Sequence, residues 1–204
     1  MIYSIYLNII FKVFILNLYT LIGPIGAGKT EVQRILEGRD IKCVCADNIV
    51  KELYKKKYVI DELNNIFPNM FKNGKLEKSK IRDIIFSDVK KMREIENYMH
   101  PKVILEFENI KEIYKDNKIV FFIIPIIKDN IFLKKNKTVY IDSKESIRIE
   151  RLKKRKDYNE SIINKIIKYQ STIDIYKKDC TYYIENNGTI SNLKLSVYEL
   201  MKKI

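Results

Sequence analysis

The 204-residue sequence has no tryptophan, one histidine, four prolines and three cysteines. Each scarcity closes off a chemistry. A lone His100 cannot supply the clustered imidazoles of a transition-metal centre. Cys43, Cys45 and Cys180 give neither an even count nor a ligand spacing with that histidine, so a disulfide-stapled fold is excluded and a reduced, intracellular protein is expected. Cys43 and Cys45 alternate with Val44, and a small buried hydrophobe is the expected role of at least one of them. Acidic residues are also short, 26 against 39 basic ones, for a formal net charge of +13. A basic surface suits nucleic acid or polyphosphate ligands, but lysine is used heavily almost everywhere, so charge alone names no partner. Apolar residues make up 46% and no low-complexity tract interrupts them, which excludes a disordered chain. The length suits one α/β domain with excursions.

One long apolar run is present. Met1 to Leu18 carries Lys12 as its only charge, and a membrane anchor is the first thing to weigh. Ser4, Asn8, Lys12 and Asn17 break the run, and its last third must be a strand feeding the loop that follows. Residues 1–13 are therefore expected to be an apolar extension: an edge strand, a short helix or an overlong gene start. No membrane association is expected.

That loop is Gly23-Pro24-Ile25-Gly26-Ala27-Gly28-Lys29-Thr30, a full phosphate-binding pattern of glycine, four residues, glycine, lysine and threonine. An apolar strand ends before it and a helical stretch, Glu31 to Glu37, follows. The bland alternative, a glycine-rich turn, does not require all eight positions in that context. The expected nucleotide contacts are Gly23, Ile25, Gly26, Ala27, Gly28, Lys29 and Thr30, with backbone N–H groups and a helix N-terminus aimed at phosphate. Lys29 is expected to bridge the phosphates of ATP, and Thr30 to ligate Mg²⁺.

Further along, Ile41 to Cys45 alternates as a strand, and Asp47 falls where that strand ends and a helix begins. Asp47 is thus placed for catalysis or as a plain helix N-cap, or for both. Residues 58–114 show no convincing strand; apolar spacing predicts four helices, with a turn at Asn73-Gly74 and Pro101 starting the last helix. Ile119 to Ile124 reads as a central parallel strand and Thr138 to Ile141 as another, after which Asp142 and Glu145 resemble a capping pair. The helix so started puts Arg148, Arg151 and Arg155 on one face: a solvated cationic face, or arginines that close over a nucleotide. An amphipathic helix at 161–173, a strand near 182–184, the Asn187-Gly188 turn and a packing helix complete the chain.

Taken in order, these pieces resemble the dephospho-CoA kinase family, from about Leu16 to the C-terminus. The pieces are the phosphate loop, Cys45-Ala46-Asp47, Gly74 to Lys78, Ile81-Arg82, Ile85-Phe86-Ser87, His100-Pro101, Pro125-Ile126-Ile127, the arginine helix and Ile184 to Gly188. The resemblance implies a three-layer α/β P-loop kinase fold with a parallel five-stranded core, a helical substrate-binding insertion and a helical lid. It assigns 14–57, 115–142 and 181–204 to the nucleotide-binding core, 58–114 to a helical acceptor domain and 143–180 to the lid. The implied activity is transfer of the ATP γ-phosphate to the 3′-hydroxyl of dephospho-CoA in the cytoplasm, by a monomer or weak homo-oligomer.

Carried over by motif, Asp47 is the catalytic carboxylate, Arg151 and Arg155 are lid arginines, and Arg82 and His100 bind the acceptor. His100 before proline could equally cap a helix junction. Three departures stand out: Cys45 replaces a first aspartate, Pro24 replaces a loop glycine, and Asp129 replaces a glutamate. Rival expectations are a P-loop kinase with another acceptor, a scaffold without catalysis, and a basic nucleic-acid-binding protein. No recognised nucleic-acid module supports the last of these.

Overall fold

A buried strand, β1 (Asn17–Ile22), runs up the middle of the molecule, with five of its six residues shielded from water. In this computed structural model residues 17–68, 70–72, 74–77, 89–125, 136–155, 158–171 and 173–204 are described. The elements after β1 are α1 (Lys29–Glu37), β2 (Lys42–Cys45), α2 (Ala46–Leu53), α3 (Lys57–Ile66), β3 (Phe71–Lys72), β4 (Lys75–Leu76) and α4 (Val89–Ile113). The second half holds β5 (Ile119–Ile123), β6 (Lys137–Asp142), α5 (Glu145–Lys153), α6 (Glu160–Tyr169), a 3₁₀ turn (Ile173–Lys177), β7 (Tyr182–Glu185) and α7 (Ile190–Met201).

The main sheet has the order β2-β5-β1-β6-β7, and every pair is parallel. Parallel sheets are covered on both faces, and the alternation along the strands divides two cores accordingly. Tyr19, Leu21, Phe121, Ile123, Val139 and Ile141 face α1 and α7, where Val32, Leu36, Leu193, Val197 and Leu200 meet them. Leu18, Ile22, Val120 and Phe122 face the helical block, packing with Leu53, Leu63, Met99 and Phe107. This is the α/β three-layer architecture expected. The reversal of strand order beside β1 opens a crevice at the carboxyl ends of the strands, directly over the phosphate loop.

Several local expectations are corrected. Residues 58–114 do contain strands: β3 and β4 form an antiparallel pair with Phe71 opposite Leu76 and Lys72 opposite Lys75. Gly74, at φ +70°, sits in the two-residue connection that an Asn-Gly pair favours. Pro101 does not start a helix but lies inside α4, which runs for 25 residues. The reason is packing: Ile95, Met99, Val103 and Phe107 recur every fourth residue across the proline and are all buried in one core, so that stripe outweighs the one missing N–H. Asp142 and Glu145 make no capping pair; Lys144 is the N-cap of α5 and no side chain caps it.

Asp142 serves the sheet edge instead, accepting from the Ser143 N–H at 2.8 Å, Lys177 Nζ at 2.5 Å and the Tyr183 hydroxyl at 2.6 Å. Residues 1–13, the helix expected around Ile81 to Ile85, Arg82 and Asp129 lie outside the described residues. Among the described residues no helix is long and apolar enough to cross a membrane.

Candidate active site

The loop between β1 and α1 is pinned by close backbone contacts that only glycine allows. Gly23 has φ +146°, and a Cβ there would lie 2.1 Å from the Ile141 carbonyl oxygen of β6. Gly28, the N-cap of α1, has φ +109°, and its Cβ would lie 2.3 Å from Asn186 Nδ2. The loop therefore sits against β6 and the end of β7 with no room for a side chain. The Asn186 side chain donates to the Ala27 carbonyl at 2.7 Å, and its own N–H donates to the Asp142 carbonyl at 2.8 Å. Asn186 thus clamps the loop from beneath. In the sequence it stands only as part of the Ile184 to Gly188 piece of the family resemblance, with no role assigned to it.

Above the loop opens a pocket of about 820 Å³, within the range that holds a nucleotide. Lys29, Thr30, Cys45, Asp47, Arg151 and Arg155 all line it. Five of these are expected at the site from the sequence, and the fold brings them together from the first turns of α1 and α2 and from α5 and the residues just past it. Ile25, Gly26 and Gly28 line it too, but Ile25 and Ala27 are not free anion donors. The Ile25 N–H donates to Gln170 Oε1 at 2.7 Å, and the Ala27 N–H turns back to the Pro24 carbonyl at 3.2 Å. His100, half-buried on α4, is not among the residues lining this pocket.

Lys29 is the electrostatic centre. Its Nζ donates to the carbonyls of Gly23 at 2.5 Å and Pro24 at 3.1 Å. Burial lowers its pKa from 10.5 to about 8, against the opposing pull of the Asp47 carboxylate. Asp47 is exposed to the crevice yet shifts the other way: loss of solvent raises its pKa, opposed by Lys51 and Lys29. Asp47 is not the helix N-cap. Cys45 occupies that position without a side-chain bond, leaving Asp47 in the first turn of α2 with its carboxylate on the pocket. Cys45, half-buried, has a thiol pushed upward by burial, so it carries no charge here at neutral pH.

The three arginines do not share one role, and a solvated face is excluded for the first. Arg148 is 8% exposed and donates its Nε to the Ser143 carbonyl at 3.1 Å. Arg151 reaches back to the loop, donating to the Gly26 carbonyl at 3.2 Å, the Ser143 hydroxyl at 3.3 Å and the Asn186 carbonyl at 3.0 Å. Arg155 is exposed on the pocket wall, 5.8 Å from the Tyr158 ring centroid.

These placements give a contrast that kinetics and melting can read. Arg151→Ala removes the bonds to the Gly26 carbonyl, the Ser143 hydroxyl and the Asn186 carbonyl and should cost roughly 1–3 kcal/mol of stability, with weaker ATP binding. Arg155→Ala should leave the melting temperature alone and lower kcat by roughly a hundredfold or more. Equal melting losses in both variants would refute the division.

The dephospho-CoA kinase family profile matches residues 18–192. A dephospho-CoA kinase of Fusobacterium nucleatum is 30% identical over 176 residues, covering 85% of this chain and 91% of that one. Among solved structures, a Thermus thermophilus protein superposes with a TM-score of 0.77 at 20% identity, covering 93% of this chain and 98% of that one. A dephospho-CoA kinase from Campylobacter jejuni superposes with a TM-score of 0.70 at 19% identity, covering 93% and 97%. At those identities the structural likeness speaks for the fold, and the sequence matches carry the rest.

Proposed function

The chain belongs to the dephospho-CoA kinase family, and we propose that its pocket transfers the ATP γ-phosphate to the 3′-hydroxyl of dephospho-CoA, making coenzyme A in the cytoplasm. The observation that carries the mechanism is the meeting of Lys29, Asp47 and Arg155 on one pocket over a phosphate loop. The phosphates lie against the N–H groups of Gly26, Gly28, Lys29 and Thr30, at the positive end of α1. Lys29 leaves the Gly23 and Pro24 carbonyls and turns its amine to the β- and γ-phosphates. That exchange suits an amine whose charge burial disfavours until an anion arrives.

The 3′-hydroxyl oxygen of the acceptor attacks the γ-phosphorus in line, the bond from phosphorus to the β–γ bridging oxygen breaks, and ADP departs. Asp47 takes the hydroxyl proton, for which a carboxylate with a raised pKa is better matched than an ordinary one. Arg155 supplies the mobile positive charge that the transferring group requires. In this reading 143–180 acts as the lid and 58–114 holds the acceptor.

The donors suit Mg²⁺ in a limited way. Thr30 and Asp47 offer hard oxygens on the same pocket, while no group of three acidic, histidine or cysteine side chains exists among the described residues. A magnesium ion would therefore rest on Thr30, phosphate oxygens and water. When bound, it would neutralise charge on the β- and γ-phosphates.

The deciding experiment is a coupled assay with ATP, Mg²⁺ and a panel of hydroxyl acceptors. ADP release with dephospho-CoA, and phosphate found on its 3′-oxygen, is expected. ADP release with a nucleoside or shikimate but none with dephospho-CoA would reject the assignment.

A further inference from the structure

Gln170 follows the last residue of α6, is 7% exposed, and is 145 residues from the loop residue it touches. Its carboxamide forms part of the wall of the nucleotide pocket. Oε1 accepts from the Ile25 N–H at 2.7 Å, and Nε2 donates to the Pro125 carbonyl at 3.4 Å. One neighbour is a donor and the other an acceptor, so only one orientation of the amide makes both bonds. The backbone N–H of Gln170 meanwhile closes α6 on the carbonyls of Ile166 and Ile167. A single residue thus ties together the phosphate loop, the residue just past β5 and the end of the helix that follows Arg155.

Building on the kinase assignment, we propose that Gln170 is a positioning residue for phosphoryl transfer, fixing the loop through Ile25 and joining that loop to the lid helix. Lys29 holds the loop between Gly23 and Gly26 only through the carbonyls of Gly23 and Pro24, and Arg151 through that of Gly26, so none of these bonds fixes an N–H of the turn. Pro24 lacks an N–H, so Ile25 carries the first backbone donor after Gly23, and the bond from it to Gln170 sets the height of the loop in the pocket. A shift of this turn moves the γ-phosphate relative to Asp47, and misplacement of that kind acts on the chemical step more than on binding. The same bond carries movement of the loop into α6, and from there to the segment bearing Arg155. In Gln170→Met the chain length stays and both polar atoms go. In Gln170→Glu an acceptor for Ile25 remains, but the second oxygen opposes the Pro125 carbonyl and adds negative charge beside the phosphates.

The first readout is amide hydrogen exchange at Ile25 in the nucleotide-free full chain, which does not depend on any acceptor. Exchange should be at least roughly tenfold faster in Gln170→Met than in the wild type, and close to the wild type in Gln170→Glu. The second is steady-state kinetics on whichever acceptor the wild type phosphorylates. In Gln170→Met, kcat should fall by roughly 10- to 100-fold while KM for ATP stays within about threefold, and the melting temperature should drop by only the few degrees that two lost hydrogen bonds cost, leaving the variant folded at the assay temperature. Unchanged Ile25 exchange in Gln170→Met would overturn the proposal, as would faster exchange with kcat intact. A fall in melting temperature that accounts for the lost activity would reduce Gln170 to a structural strut and overturn it as well. Turnover on a different acceptor would reject the substrate assignment while leaving the Ile25 exchange result intact, so the two failures are distinguishable.

Discussion

Asp47→Asn should lower kcat by roughly 10²- to 10⁴-fold, the size of effect a positioned base supplies, while ATP binds within about threefold of the wild-type affinity. The substitution keeps shape and polarity and removes only the charge and the basicity. Asp47 carries no capping bond that the fold needs, because the N-cap of α2 is Cys45. Desolvation raises the Asp47 pKa in the free protein, so the acid limb of kcat/KM should lie above the ordinary aspartate value and be absent from the residual activity of the variant.

The stability sign is worked out the same way. The folded protein holds this proton more tightly than the unfolded chain, so Asp47 contributes a loss of stability as pH rises from 3.8 through its folded pKa. Asp47→Asn removes that loss, and its melting temperature at neutral pH should equal or exceed that of the wild type. ATP titration, a pH–rate profile and a thermal melt make the check. Turnover within a few-fold of the wild type would remove Asp47 from the chemistry.

The parts of this site that were legible in the sequence are those in which local order and chemistry coincide. The phosphate loop is a contiguous pattern between a strand and a helix, and Asp47 lies at a strand end, so both could be placed from the residues alone. The sheet follows from continuous apolar runs such as Val120 to Ile124, which suit only a strand covered on both faces.

What escaped reading depends on contacts made across the chain. Arg151 looked the same as Arg148 and Arg155 by helical spacing, yet only the packing of α5 against the loop shows which guanidinium grips the Gly26 carbonyl and which faces the pocket. Gln170 carries no signal at all, being one polar residue inside the stretch 161–173 that reads as an amphipathic helix. Two misses had visible causes. The Asn73-Gly74 pair reads as a turn between helices, although it is also the strongest short hairpin signal. Pro101 reads locally as a helix start, whereas the four-residue stripe on either side of it continues unbroken into one core.

Lys29→Met should abolish turnover and ATP-induced thermal stabilisation together, without weakening the nucleotide-free fold. In the free protein the amine is buried, and its two carbonyl bonds to Gly23 and Pro24 do not restore what it loses in water, since its pKa falls to about 8. Methionine keeps the length and drops the charge, so the free variant should melt at or above the wild-type temperature, at about 2–4 °C per kcal/mol for a chain of this size. The unfolded chain binds more protons than the folded one between pH 8 and 10.5, so wild-type stability gains from Lys29 as pH rises through that window, and the variant should lack the gain.

Binding runs in the opposite direction. Phosphate needs the ammonium form, so above pH 8 the free protein must take up a proton to bind ATP, and wild-type affinity should weaken by up to about tenfold per pH unit. Melts with and without ATP between pH 7 and 9.5 read both slopes at once. A nucleotide-free Lys29→Met protein that melts well below the wild type would show that the loop needs the Lys29 carbonyl bonds more than it suffers from the buried charge. A wild-type ATP affinity flat across pH 8 would show that the amine is not what the phosphates meet.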